Sequence, residues 1–158
     1  MQILKLLGVA LILSAGGFAA VSVIRYEKRK ITVLDGWIDL IFYIRTQIDC
    51  YLMPIGEILA VADPSLLRSV LCSSPRPDLT TLYHTSQFYL DNESRRLVCS
   101  LIRELGTSYR EEQLRRCDYY MSVLRRIRDK RQEDLPARLR VTVALCLTAS
   151  AAAAILLW

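Results

Sequence analysis

Two uncharged stretches, one at each end of the chain, limit what it can fold into more than anything between them. Ile3 to Ile24 carries a single charge, Lys5, and two serines; Val141 to Trp158 carries no charge at all. As α-helices these stretches would be about 33 Å and 27 Å long, enough for a hydrocarbon core in the first case and for a locally thinned one in the second. Trp158 then falls at an interface, where an indole is favoured. A cleaved signal peptide is the rival reading of the first stretch, since Gly17-Phe18-Ala19-Ala20 resembles a small-residue cleavage site. The run Arg25-Tyr26-Glu27-Lys28-Arg29-Lys30 opposes it, because cations directly after a span stay on the cytoplasmic side.

A second basic cluster, from Arg125 to Arg140, precedes the other stretch, and no charged residue follows it. Both spans therefore have their basic flanks on the central side. The expected organisation is an N-terminal anchor over 1–24, a cytoplasmic helical domain over 25–138 and a C-terminal span over 139–158, with both termini on the opposite face. Small residues recur in both spans, Ala15, Gly16, Ala19 and Ala20 in one and Ala144, Thr148, Ala149, Ala152 and Ala153 in the other. Such spacing lets helices approach closely, whether the two spans pack on each other or on further membrane subunits.

The central segment reads as all-α. Ile31, Leu34, Ile38, Ile41, Ile48, Leu52 and Ile55 recur at three- and four-residue spacing, widened by Trp37, Phe42 and Ile44 and interrupted by Arg45. Pro54 breaks this helix near Leu52 and opens a short one ending near Val61. Asp63-Pro64 caps another running through Leu71, and Cys72 to Pro77 is a loop. Asp78 caps a helix holding Leu79, Leu82 and Phe88; Asp91 or Asn92 caps the next, whose apolar face ends at Leu105. Gly106 fits a left-handed helix terminus, and Ser108 with Glu111 forms a capping box for a helix from Tyr109 to about Asp134. Pro136 is expected to break it before the second span. The expected fold is an antiparallel bundle of five to six helices flanked by transmembrane helices.

Catalytic chemistry has little to stand on. His84 is the only histidine, and no nucleophile elbow, phosphate-binding glycine loop, dinucleotide fingerprint or zinc-protease pair is present. The pairs Glu111-Glu112 and Glu133-Asp134 are helix neighbours about 100° apart and cannot share a proton. Cys50, Cys72, Cys99, Cys117 and Cys146 lack metal or redox spacing and read as small buried hydrophobes in a reducing compartment. The expectation is a non-enzymatic chain with no catalytic, metal or cofactor-binding residue.

The net charge of +5 allows an anionic lipid, an acidic protein or nucleic acid as partner. No nucleic-acid recognition module accompanies it, so nucleic acid is not expected; a membrane-tethered basic module for nucleic acid or anionic lipid is the alternative reading. Arg115, Arg116, Arg125 and Arg126 are the candidate basic interaction surface, set among acidic residues that also fit a salt-bridged exterior.

Several strings carry a resemblance. Leu4-Lys5-Leu6-Leu7-Gly8 opens the chain, Tyr51 and Pro54-Ile55 lie at the first helix break, and Glu104-Leu105-Gly106 is followed by Gln113. In this order, between two terminal spans, they resemble the stage III sporulation protein AB family of spore-forming bacteria over the whole length. The chain departs from that pattern at Met53, near Tyr109, and in lacking a leucine-glycine pair at the start of the second span. The resemblance implies a bundle similar to the cytoplasmic domains of type II secretion F-type platform proteins. It also implies a platform role in the transenvelope complex joining mother cell and forespore, with the complex's cytoplasmic ATPase, stage III sporulation protein AA, and other membrane subunits as partners. By the same resemblance Leu105 and Gly106 are turn residues, and Glu104 and Gln113 are candidates for contacts around the turn.

Overall fold

A computed structural model describes residues 2–51, 54–71 and 78–157. The described residues form six helices and no strand: α1 (Gln2–Tyr51), α2 (Ile55–Val61), α3 (Pro64–Ser69), α4 (Leu79–Ser86), α5 (Asn92–Glu104) and α6 (Arg110–Leu157). The chain divides into two compact units, one of residues 1–28 with 132–158 and the other of residues 29–131.

In the first unit the apolar parts of α1 and α6 supply the two helices long and apolar enough to cross a membrane. Only 6% and 0% of their apolar windows are buried within the chain, so its own core does not cover them. Where they meet, a Cβ on Gly16 would lie 2.6 Å from Ser150 Oγ and 2.7 Å from Ser150 Cβ. Ser150 is itself buried. Only a residue without a side chain lets these backbones come so close.

The second unit is a helical bundle built on the apolar stripe of α1. Val33, Leu34, Trp37, Leu40, Ile41 and Ile44 are almost completely buried there, against Ile58 and Leu59 of α2, Leu82 of α4, Leu101 of α5 and Leu124 of α6. Trp37 sits at its centre, and its indole Nε1–H donates to Ser86 Oγ at 2.9 Å. Gly36 admits α3, since a Cβ there would lie 2.6 Å from Ser69 Oγ. Asp63 and Asp91 cap α3 and α5, accepting from the amides of Ser65 at 2.7 Å and Ser94 at 3.2 Å. Across the seam between α1 and α6, Asp35 pairs with Arg128 at 3.3 Å, Arg45 with Asp118 at 2.6 Å, and Asp49 with Arg110 at 2.6 Å. As one helix's numbers rise the other's fall, which is the signature of an antiparallel pair.

Several expectations are corrected. Pro136 does not break α6, which is helical on both sides of it; proline removes one i→i−4 bond, and the flanking ladder keeps the register. Phe88 is not in α4, which ends at Ser86; it lies in the following turn and is 71% exposed. The third helix stops at Ser69, because Leu71 takes a left-handed φ of 65°. The first helical carbonyl of α6 is that of Tyr109, which accepts from Gln113 N at 3.0 Å, so the N-cap is one residue beyond Ser108 and the Ser108–Glu111 box does not form. Phe42 does not widen the core stripe: it is 54% exposed. Among the described cysteines only Cys117 is buried, and Cys50 is exposed on the last turn of α1. Leu52, Met53, the Cys72–Pro77 loop and Trp158 lie outside the described residues.

Candidate functional site: the tip of the bundle

Tyr51 at the end of α1 and Arg110 at the start of α6 lie at one end of the bundle; the chain enters and leaves the unit at the other, through Arg29 and Arg131. The tip is organised by the turn from α5 to α6. Leu105 is the C-cap of α5, its N–H donating to Leu101 O at 2.9 Å. Gly106 follows with φ +85°, a conformation open to glycine at little cost. A Cβ at Gly106 would come within 3.3 Å of Ile55 Cδ1, so the α5–α6 turn rests on the first turn of α2. Gln113 Nε2 donates to Ser108 O at 2.6 Å and closes the turn from the α6 side. Two strings far apart in sequence, Pro54-Ile55 and Glu104 to Gln113, thus share one end of the fold. Tyr51 and Tyr109, 68% and 93% exposed, stand outside it.

Glu104 belongs to a charged cluster beside the tip. Arg116 reaches Glu104 at 3.4 Å and Glu112 at 3.0 Å, while Arg115 pairs with Glu112 at 2.6 Å. These groups, with Tyr119 and Tyr120, line an open depression of about 450 Å³. Burial raises the Tyr120 hydroxyl above its ordinary range, and its hydrogen bond to Glu104 adds to this. The hydrogen bond from Arg116, with the charge of Arg115 beside it, holds the Glu112 carboxyl below its ordinary range. Ion pairs and a hydrogen bond thus join Glu104, Glu112, Arg115, Arg116 and Tyr120 into one network, an arrangement that orients a charged surface.

The structure separates the four candidate arginines into two classes. Arg115 and Arg116 are held in the cluster, whereas Arg125 and Arg126 are exposed and pair with no described carboxylate. With Arg110, Arg128 and Arg131 also ion-paired, much of the positive run on α6 is neutralised locally. His84 is exposed on α4. Among the described residues no group of three or more His, Cys, Asp or Glu could hold a metal ion.

Comparison with known families is decided by the C-terminal half: the model of stage III sporulation protein AB (spore_III_AB) matches residues 80–158. The chain belongs to the stage III sporulation protein AB family. The match to that family takes in nearly all of α4, the whole of α5 and α6, and with them the Glu104-Leu105-Gly106 turn and Gln113. Tyr51 and Pro54-Ile55 fall outside it and join the turn through the fold. No curated protein and no solved structure gives a significant match. Family membership makes this a sporulation-related protein, and its two apolar helices associate it with a membrane.

Proposed function

We propose that the chain is a non-enzymatic membrane platform of a transenvelope sporulation complex, and that the bundle's tip docks the complex's cytoplasmic ATPase, of the stage III sporulation protein AA type. The observation that carries this reading is the convergence of Ile55 and Gly106 at the end of the bundle opposite its connections to the apolar unit. Two of the strings that resemble the family, Pro54-Ile55 and Glu104 to Gln113, are thereby gathered at the end farthest from those connections, flanked by the two exposed tyrosines. Exposed aromatic side chains over a rigid turn are favourable anchors for a protein partner. On this reading the bundle lies in the cytoplasm, the termini lie across the membrane, and the α1–α6 ion-pair seam keeps the bundle stiff enough to pass on the ATPase's conformational work.

The test uses the full chain in detergent micelles with a purified ATPase of that type. Wild-type chain is expected to bind, and Tyr51→Ala with Tyr109→Ala to weaken binding tenfold or more without loss of helicity. A folded chain that does not bind the ATPase, or tip variants that bind as wild type does, would reject the role given to the tip.

A further inference from the structure

The apolar unit holds a groove that its own side chains do not fill. Gly16 faces Ser150, and Val23 and Glu27 stand across from residues 137–142, so α1 and α6 run antiparallel through this unit. Between them lies an open groove of about 490 Å³, whose lining includes Val23 and Glu27 of α1 and Arg138, Leu139, Val141 and Thr142 of α6. Val23 and Glu27 are one turn apart on one face of their helix, as are Arg138 and Thr142 on theirs. The groove is therefore charged at one end and mainly apolar a turn deeper. Thr142 donates its hydroxyl proton to Arg138 O at 2.9 Å, within its own helix.

The two charges stand at one height. Glu27 is eleven residues from Gly16 and Arg138 twelve from Ser150, a difference of about 1.5 Å along the axis. Each lies three residues, about 4.5 Å, outside an apolar stretch, Glu27 after Ile24 and Arg138 before Val141. Where those stretches cross a bilayer, this height is the layer in which headgroups replace hydrocarbon.

We propose that the groove binds one aminophospholipid of the surrounding membrane, of the phosphatidylethanolamine type. Its phosphate meets the Arg138 guanidinium, its ammonium meets the Glu27 carboxylate, and the start of an acyl chain lies against Val23, Leu139 and Val141. One anion and one cation at one height match a zwitterionic headgroup that can donate hydrogen bonds. Phosphatidylglycerol brings a phosphate near Glu27 with no cation of its own to offset the repulsion, and a choline headgroup has no N–H to give. The Arg138 side chain is 73% exposed and touches Asp134 at 3.7 Å, which leaves donors of its five for a phosphate. A carboxylate has about four acceptor sites, room for an ammonium beside a neighbour within the chain. The opposite flank of α6 differs. There Arg140 shares a second groove with Leu139, Val143, Ala144 and Leu147, and no carboxylate lines it. The lipid site lies wholly in the apolar unit, so it neither needs nor tests the ATPase reading.

The full chain, purified in detergent micelles, is incubated with phosphatidylethanolamine, phosphatidylglycerol and phosphatidylcholine of matched acyl chains, and retained lipid is counted by native mass spectrometry. Wild type is expected to retain a single phosphatidylethanolamine and to prefer it about tenfold over either other lipid. Glu27→Gln should bring the three lipids close to parity, and Glu27→Lys should turn the preference to phosphatidylglycerol. Arg138→Gln should weaken retention of all three about tenfold, since all carry the phosphate. Arg140→Gln, on the other flank, should leave phosphatidylethanolamine held as in wild type. Free phosphoethanolamine, the headgroup without its chains, should not displace the lipid even in large excess. Should a charge variant lose helicity, Val23→Phe, which fills the apolar end, carries the test and is expected to lower retention about tenfold. Wild type holding the three lipids alike, Glu27→Gln keeping the full preference, or Arg140→Gln losing as much as Arg138→Gln would each overturn the proposal. So would displacement by phosphoethanolamine, or a Val23→Phe chain that retains the lipid as wild type does.

Discussion

The hydrogen bond from Trp37 to Ser86 offers the sharpest quantitative test of how the bundle is held. Both residues are fully buried, and the indole N–H donates to Ser86 Oγ at 2.9 Å. Ser86→Ala strands that N–H away from water, which costs about 1–3 kcal/mol. A central loss of about 2 kcal/mol lowers the midpoint of thermal unfolding by roughly 5–15 °C for a domain of this size. Trp37→Phe carries its own penalty through lost volume, but leaves the serine satisfied, because Ser86 Oγ also donates to Leu82 O at 2.8 Å. In the phenylalanine background no N–H remains to be stranded, so Ser86→Ala should then cost close to nothing. The measurement is a double-mutant cycle on the full chain in detergent, followed by tryptophan fluorescence for the serine variant and by near-ultraviolet circular dichroism for all four proteins. Equal cost of Ser86→Ala in both backgrounds would show that the bond contributes nothing specific and that the serine matters only for fit.

Two further outcomes follow from geometry elsewhere. Gly16→Ala puts a methyl group 2.6 Å from Ser150 Oγ and should cost about 1–3 kcal/mol of thermal stability in detergent; adding Ser150→Gly removes both colliding atoms, leaves Cys146 O at 3.6 Å as the next neighbour, and should restore the melting point. Burial, with the negative charge of Asp118 adding to it, raises the Cys117 thiol from 9.0 to about 11. Between those values the unfolded thiol ionises while the folded one keeps its proton, so its contribution, complete below pH 9, is lost as pH rises toward 11. Cys117→Ala should flatten that alkaline decline in an unfolding series, and iodoacetamide at mildly alkaline pH should modify exposed Cys50 well before Cys117.

Much of this architecture was legible in residue spacing, because an apolar stripe at three and four residues has one low-energy use in water. The stripe on α1, the aspartate caps of α3 and α5, and the glycine at the end of α5 were all readable for local reasons. What spacing could not give is what lies across from each residue. Arg45 reads as an interruption of the stripe and turns out to be one rung of the seam, its guanidinium pairing with Asp118 seventy-three positions away. Phe42 reads as core and lies outside, since apolarity alone does not tell on which side of a stripe's edge a ring falls. Pro136 reads as a stop, although a helix already bonded on both sides tolerates one missing donor. At the tip, the left-handed turn at Gly106 was foreseeable, but its contact with Ile55 needed the fold. The separation of Arg115 and Arg116 from Arg125 and Arg126 likewise depends on where Glu104 and Glu112 stand.

The long reach of the α1–α6 seam also governs the order in which this chain takes shape. Synthesis delivers α1 first, yet its partner helix emerges only after α2 to α5 have been made. Throughout that interval the ring of Trp37 and the branched side chains around it lack their cover from α6, as they would in any truncated product ending before Arg110. Nascent chains and fragments of this kind are the natural clients of chaperones and proteases, so a premature stop in the α5–α6 turn should yield rapid clearance in place of a partly working protein.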